Sequence, residues 1–512
     1  MNKAVPKLLK LLFLIILIKG IAWSLFIPLW HFPDEQAHFG HVAYLAEGGQ
    51  LPMGRTNDLT QEIAISEQRL GTYRNKYGNN DFTYRPEHRL EYTGNYLGKY
   101  ELEIKNLPLS TRKEFKDPES AYYPHFFYRV SGLIYKLFYF SDLFVRVFTV
   151  RLFWLLAHVL LVYLAYKIGR LVFPKSNLSA LSVAVLTGFQ PMLTFVSSGI
   201  TGDNLHNLLF TAVIYFCLKL RLQLNRRNLL GLAVVLILGF MNKQQFLIAL
   251  AVVLPTLLWL FIKQRQFKLM GWFGLAFLIL ALIFGREYFS DLWSSIKIGQ
   301  IPYFEQRTNL VRPDYTLWQH LVYTANHTFR EVLPWYWGVF RWLSLVLPRW
   351  VNQVMMRILL VAGIGLIVKL FRRRFEPGLG IIVWSAVVYF LALFAWDFQQ
   401  VRNAGFPFGI QGRYYFPVIV PHMVLLVIGI KTLWSKLLLP LNFWFIALNW
   451  IAFYTVVSSY YDTSSFKTFI IQASQYKPFF AKSWWLVVAL GLYFIFSLIF
   501  SFKLFKIFRH EK

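Results

Sequence analysis

The chain reads as a succession of long apolar runs separated by short basic turns or long polar stretches. A helix needs about twenty apolar residues to cross a bilayer. Runs of that kind fall near residues 8–30, 143–166, 178–198, 204–222, 228–241, 245–262, 269–285, 352–370, 379–396, 412–431, 438–457 and 484–503. They predict an all-α polytopic membrane protein with about 12 transmembrane helices. The chain divides accordingly. Residues 1–30 hold the first membrane helix. Residues 31–142 form a long first loop with an acidic motif, interfacial helices and a small ordered insertion. Residues 143–285 carry helices two to seven. Residues 286–351 form a second loop whose "EVLPWYWGVFRWLSLVLPRW" suits a helix lying in the membrane interface. Residues 352–512 carry helices eight to twelve with two further outer loops.

Loop charge orients this layout. Lys3, Lys7 and Lys10; Lys167, Arg170 and Lys175; Arg221, Arg226 and Arg227; Lys263, Arg265 and Lys268; Arg372, Arg373 and Arg374; Lys431 and Lys436; and Lys503, Lys506 and Arg509 all fall on one side. Basic short loops stay in the cytoplasm. Both termini are therefore expected inside, and every long loop outside. Composition agrees: 56% of residues are hydrophobic, 19% aromatic and 15% charged, with a formal net charge of +28. A soluble nucleic-acid binder would be basic without being so apolar, so the expected partners are a lipid bilayer and no nucleic acid. The only cysteine is Cys217, so no intramolecular disulfide is possible. GxxxxGK[ST], HExxH and CxxC patterns are absent, and ATP-driven chemistry is unsupported.

Titratable residues collect on the outer side. "HFPDEQAHFGH" places Asp34 and Glu35 directly after the first apolar run, with His31, His38 and His41 around them. Asp203 opens the fourth span in "SSGITGDNLHNLLF", where it suits a helix N-terminus as well as a site. Lys243 lies on the turn between spans five and six. Arg402 and Arg413 lie in the loop before span ten, with Tyr414 and Tyr415 next to Arg413. Ionisable groups at a membrane boundary are costly and are functional candidates by default. His38 and His41, three residues apart, would admit one metal ion, but no third ligand accompanies them. Asp34 and Glu35, being adjacent on a helix, point in different directions.

Several of these segments occur in an order that resembles the GT-C superfamily of polytopic glycosyltransferases. The branch most similar is that of protein O-mannosyltransferases, lipid A aminoarabinose transferases and related bacterial multi-pass proteins. "PDEQAHFGHVAYLAEGGQLP" resembles its acidic first-loop motif. "YYPHFFYRVSGLIYKLF" resembles the later first-loop segment, with Pro124 and Tyr128 in place but one proline missing. "VRVFTVRLFWLLAHVLLVYLAYKIGRLVF", with Arg151, resembles the second span; "GFQPMLTFVSSGITGDNLHNLLF" the Asp-bearing junction; and "GIQGRYYFPVIVP" the start of a late span. The polar middle of the first loop, about residues 54–118, departs from the compact members.

The resemblance implies an inverting transfer of a sugar from a polyprenyl-phosphate donor to a glycan, lipid or protein acceptor of the cell envelope. Asp34 would be the general base, Glu35 would support it, and Asp203 would orient acceptor or base. Such a displacement needs one base and no covalent intermediate. Fixed cations stabilise the departing phosphate, and Lys243, Arg402 and Arg413 are the candidates for binding it. His38, His41 and Tyr414 would flank the site. No cofactor is expected, and metal independence with it. The short loops point to a bacterial inner membrane. Two other classes stay open: a glycan polymerase or ligase using a lipid-diphosphate oligosaccharide, and a transporter of lipid-linked glycans. The latter is disfavoured by the absence of repeated halves.

Overall fold

The structure is a computed structural model that describes residues 4–49, 57–75, 78–116, 124–275, 278–279, 282, 315–405, 407 and 410–510. Among these, nine helices are long and apolar enough to cross a membrane: Val5–Phe26, Leu143–Val172, Asp203–Leu222, Gln244–Lys263, Arg349–Arg372, Leu379–Asn403, Gly412–Leu433, Ser435–Tyr460 and Trp484–Arg509. A tenth arises if Asn177–Phe189 and Pro191–Ser197, bent by 60° against each other, are counted as one span. The protein is thus an all-α, multi-pass membrane protein. Of the twelve runs expected, 228–241 forms a helix, Arg226–Phe240, of only 15 residues. The run at 269–285 is helical over 267–275 and at 278–279 and 282, and its other positions lie outside the described residues. The first helix, α1 (Ala4–Phe26), stops short of residue 30, because Pro28 pushes the residue before it out of the helical region.

The break in the third span has a polar lining. Gln190 leaves the helix, and its side chain caps the next one by accepting from the Leu193 N–H. The carbonyls freed by the break find donors from other spans. Lys19 of α1 donates to the Gly188 carbonyl and to Thr194 Oγ1 (2.7 Å). Asn449 donates to the Phe189 carbonyl (3.2 Å) and to Thr194 Oγ1 (2.9 Å), and its own oxygen accepts from Trp23 (3.1 Å) and Tyr493 (2.9 Å). A broken span survives in lipid only when its backbone groups are re-satisfied in this way. The break also turns the chain so that residues 198–203 approach the end of α1. Ser24 Oγ donates to the Ser198 carbonyl (2.5 Å), and a Cβ on Gly199 would meet the Phe32 ring at 2.3 Å.

The first loop folds over this end of the bundle. It contributes α2 (Glu35–Ala46), α3 (Gln61–Leu70), α4 (Glu101–Lys105) and α5 (Phe126–Leu137). The insertion docks through charges: Glu62 pairs with buried Arg146 at the start of the second span, and Glu101 with Lys482 (2.7 Å). Gln475 donates to the carbonyls of Thr93 and Asn95. The Trp- and Arg-rich segment before residue 350 differs from the single interfacial helix its composition suggests. It forms the end of a helix that runs from Leu317 through a π turn at Thr328–Val332 to Trp337, and then a two-residue hairpin, Val339–Phe340 with Leu345–Val346. Arg341, Trp342 and Leu343 at its tip are all left-handed (φ 52°, 52° and 63°), which ends any helix. Arg341 Nη1 holds that turn by donating to the carbonyls of Pro86 (2.9 Å) and Ser459 (3.0 Å).

Small residues let two spans approach closely, as is usual in lipid. A Cβ on Gly365 would sit 1.9 Å from the Gly429 carbonyl, and one on Gly429 would sit 2.2 Å from the Ala362 carbonyl. Neither obstacle is a movable side chain. Gly429→Val is therefore expected to lower stability by about 1–3 kcal/mol or more. The check is the thermal midpoint of the detergent-solubilised protein, with Gly363→Ala, where a Cβ meets nothing within 4 Å, as the neutral control.

Candidate functional site

Asp34 and Glu35 are neighbours in sequence with different surroundings. Glu35 is fully buried. Its Oε1 accepts from Arg151 Nε (2.7 Å) and the Ile200 N–H (3.3 Å), and its Oε2 from Arg151 Nη2 (2.5 Å) and the Trp30 N–H (3.2 Å). Arg151 is equally buried. Its remaining donors reach the carbonyls of Ser24, Ile27 and Pro28 at 3.0–3.1 Å, groups left over where α1 ends. The guanidinium also lies against the rings of Phe32 (4.7 Å) and Phe148 (4.5 Å). Both oxygens of Glu35 are thus occupied by fixed donors. Its role in this geometry is to bind α1, the second span and the 198–203 junction together.

Asp34 takes the other direction. It is the residue before α2, in a left-handed conformation (φ 54°) that is uncommon for a residue with a Cβ and tolerated best by Asp and Asn. Its side chain is 38% exposed. Oδ2 accepts from Arg413 Nη2 (2.8 Å) and Oδ1 from Arg74 Nη1 (3.2 Å). Burial of the group works toward a higher pKa; the guanidiniums of Arg413 and Arg74 outweigh it and hold the carboxyl well below the usual carboxylate range.

Asp203 is the first residue of its helix and pairs with Lys243. Asn242, next to that lysine, donates to the Gly202 carbonyl (3.1 Å), which fixes the turn against the junction. Lys243 and Arg413 both lie over the ring of Tyr414, at 5.7 and 5.2 Å. Two acids, three cations and one tyrosine therefore form a continuous cluster at one end of the bundle. Gly412, before Arg413, is pressed against Leu333–Trp337: a Cβ there would meet the Tyr336 nitrogen at 2.1 Å.

The histidines stand behind this cluster. His38 is buried and hydrogen-bonds with Tyr128 Oη (2.8 Å) and Thr201 Oγ1 (3.2 Å). Burial pushes it down to about 4, against the pull of Asp34 and Asp203. His41 turns the other way, to His125 (2.9 Å) and Asp58 (3.6 Å). Arg402 sits in the last turn of Leu379–Ala404 and is exposed, and neither Asp34 nor Asp203 pairs with it. Among the described residues no three His, Cys, Asp or Glu side chains are grouped so as to hold a metal. Sequence reasoning missed Arg74. It lies in the polar insertion, whose sequence shows no pattern that aims it at Asp34; the ring of Trp342 beneath its guanidinium (5.9 Å) sets its position.

Two outcomes follow. Glu35→Gln leaves Arg151 buried without a counter-charge, which costs about 3–5 kcal/mol, whereas Arg402→Gln is expected within about 0.5 kcal/mol of wild type; chemical or thermal unfolding in detergent measures both. His38 titrates near 4 when folded and near 6.5 when unfolded. The unfolded chain therefore binds the proton first as pH falls. The stabilisation is complete above pH 6.5 and is lost between there and about 4, by a few kcal/mol at most. Thermal midpoints between pH 7 and 4.5 should fall, and His38→Gln should flatten that slope. The window lies above the range in which Asp34 titrates.

Residues 17–421 match the model of a family described as "Predicted membrane protein (DUF2142)". Comparison with curated proteins gives no match. Two solved structures of ArnT from Cupriavidus metallidurans are similar. The form bound to undecaprenyl phosphate gives a TM-score of 0.39 at 15% identity, covering 96% of this chain and 77% of that one. The apo form gives 0.38 at 15% identity, with 96% and 76% covered. A likeness at that level assigns no residue a role. The family match spans most of the chain, and the protein belongs to the DUF2142 family of predicted membrane proteins.

Proposed function

We propose that the protein is an inverting glycosyltransferase. It would move a sugar from a polyprenyl-phosphate donor to a glycan, lipid or protein acceptor of the cell envelope. The observation that carries this reading is the half-open carboxylate of Asp34, flanked by Arg413 and Arg74 and backed by the Asp203–Lys243 pair. In the reaction the acceptor oxygen attacks the anomeric carbon, the bond from that carbon to the phosphate oxygen breaks, and the acceptor proton passes to Asp34. The phosphate leaves with one more negative charge than it had in the donor.

The same arginine serves both partners. While Arg413 bonds Asp34, the carboxylate is a weak base. A donor phosphate that draws Arg413 and Lys243 to itself removes that cation from Asp34, and Asp34 becomes more basic as the donor arrives. The guanidinium fork suits two phosphate oxygens, and a protein-supplied cation is in place before the charge develops. Glu35 positions the acid beside it. Asp203 holds Lys243, and Tyr414 keeps both cations over one ring. Arg402 is left out of the site. The site would face the extracytoplasmic side of a bacterial inner membrane, with both termini in the cytoplasm.

The test is turnover of a polyprenyl-phosphate monosaccharide by the purified protein. Asp34→Asn should fold, insert and lose about 10²–10⁴ in rate, while Arg413→Gln should lose activity chiefly through the departing phosphate. Chelation with EDTA should leave the rate unchanged. Near-normal turnover by Asp34→Asn would overturn the assignment of the base. Consumption of lipid-diphosphate oligosaccharides in place of monophosphate donors would overturn the donor class.

A further inference from the structure

A second cationic place lies at the Leu333–Trp337 end of the helix that begins at Leu317. A cavity of about 630 Å³ opens there, lined by Arg330, Trp335, Arg349, Asn352, Gln353 and Arg357. None of its three arginines has a carboxylate partner among the described residues. The nearest acid in sequence, Glu331, is turned toward His327 (3.8 Å). Three guanidiniums around one cavity repel each other unless an anion occupies it. We infer that this cavity binds the phosphate of an anionic glycerophospholipid from the surrounding bilayer.

The geometry suits a lipid better than a soluble anion. Arg349 opens the helix Arg349–Arg372, and Arg357 follows eight residues later, about 12 Å further along the axis. That depth is greater than a headgroup layer of some 5–8 Å. Helical side chains lean toward the helix N-terminus, so the stem of Arg357 leads its charge back up toward Arg349. From Met356, which lines the cavity, onward the same helix exposes Met356, Leu360, Ile364 and Ile367, at 48%, 66%, 47% and 54%. Their spacing of four, four and three residues forms one lipid-facing stripe. Acyl chains can lie along it while the phosphate sits among the arginines, with Asn352 and Gln353 beside a glycerol headgroup. Trp335 in the cavity and Trp350 (51% exposed), next to Arg349 in the chain, are of the kind that marks a membrane interface.

The occupant is a bilayer lipid and not the donor of the proposed reaction. No carboxylate lines the cavity, so a sugar phosphate held there has no base. Neither Asp34 nor Asp203 lines it. The inference stands whether or not the transferase reading does.

The experiment uses the full-length protein in mild detergent, exposed to equal amounts of phosphatidylglycerol and phosphatidylcholine, with retained lipid read by native mass spectrometry. Wild type should retain phosphatidylglycerol at least about tenfold over phosphatidylcholine, and the preference should shrink at 0.5 M salt. R349Q/R357Q should lose it, while Arg374→Gln, an exposed arginine past the other end of the same helix, should keep it. Equal retention of the two lipids by wild type overturns the inference and needs no variant to fold. Unchanged preference in R349Q/R357Q overturns the site. Displacement of phosphatidylglycerol by polyprenyl phosphate, with the preference for the latter lost in R349Q/R357Q, overturns the phospholipid assignment in favour of the donor lipid.

Discussion

The buried pair of Glu35 and Arg151 is the constraint on which the candidate site depends. It is bidentate, and both side chains are closed off from the surface. Ion pairs of this kind gain little over apolar packing, but losing one partner is costly. Here the pair also completes the end of α1, since Arg151 takes three carbonyls that the helix leaves unmet. Through Ile200 it holds the junction that leads to Asp203. One interaction thereby sets the relative positions of the first loop, the second span and the fourth. Asp34 inherits its place from that arrangement: with Glu35 pinned inward, the residue before it is left facing outward in a left-handed turn.

Charge is distributed around that point so that each acid meets a cation and each cation has a second contact. Arg413 lies between Asp34 and the ring of Tyr414, Lys243 between Asp203 and the same ring, and Arg74 between Asp34 and Trp342. An aromatic face holds a cation without neutralising it. The cations are therefore fixed in place yet available to an incoming anion. A cluster of this kind needs little reorganisation when charge arrives, which is the condition under which fixed dipoles and charges lower a barrier. The neutral, buried His38 behind it adds no competing charge at neutral pH.

The spans were legible because lipid demands long apolar runs, and that demand leaves its mark on the sequence directly. Arg226–Phe240 shows the limit of this reading, since an apolar stretch can be too short to cross. That Asp34, Asp203, Lys243 and Arg413 gather at one end of the bundle was legible too, because alternating basic loops group the remaining loops without any knowledge of packing. The division of labour between Asp34 and Glu35 was legible only as divergence. Which of them turns inward depends on Arg151, which lies 116 positions away from Glu35 within an apolar helix. Arg74 was not legible at all, because docking of the insertion rests on scattered contacts such as Glu62 with Arg146 and Gln475 with Thr93. In the sequence, Arg413 already stood apart from Arg402 by its flanking Gly412, Tyr414 and Tyr415. Gly412 separates them in the fold, since its lack of a Cβ lets the chain press against Tyr336 and sets Arg413 inside.

That contact also joins the two cationic places into one problem. The Leu333–Trp337 helix end has Gly412 pressed against it, while its Pro334 and Trp335 line the arginine cavity. Its position is tied further by Gln190 at the broken span, which donates to the Tyr336 carbonyl, and by the Tyr336 hydroxyl, which meets His422 at 3.1 Å. Leu333–Trp337 is the last part of a helix that runs from Leu317 through a π turn at Thr328–Val332. These contacts at Tyr336 lie where Gly412, the residue before Arg413, packs. An occupant of the cavity would touch the same helix end that Gly412 packs against, and it would bias Arg413 only by favouring one placement of that end. Such coupling is limited by the difference in the occupant's affinity for the two placements of the helix.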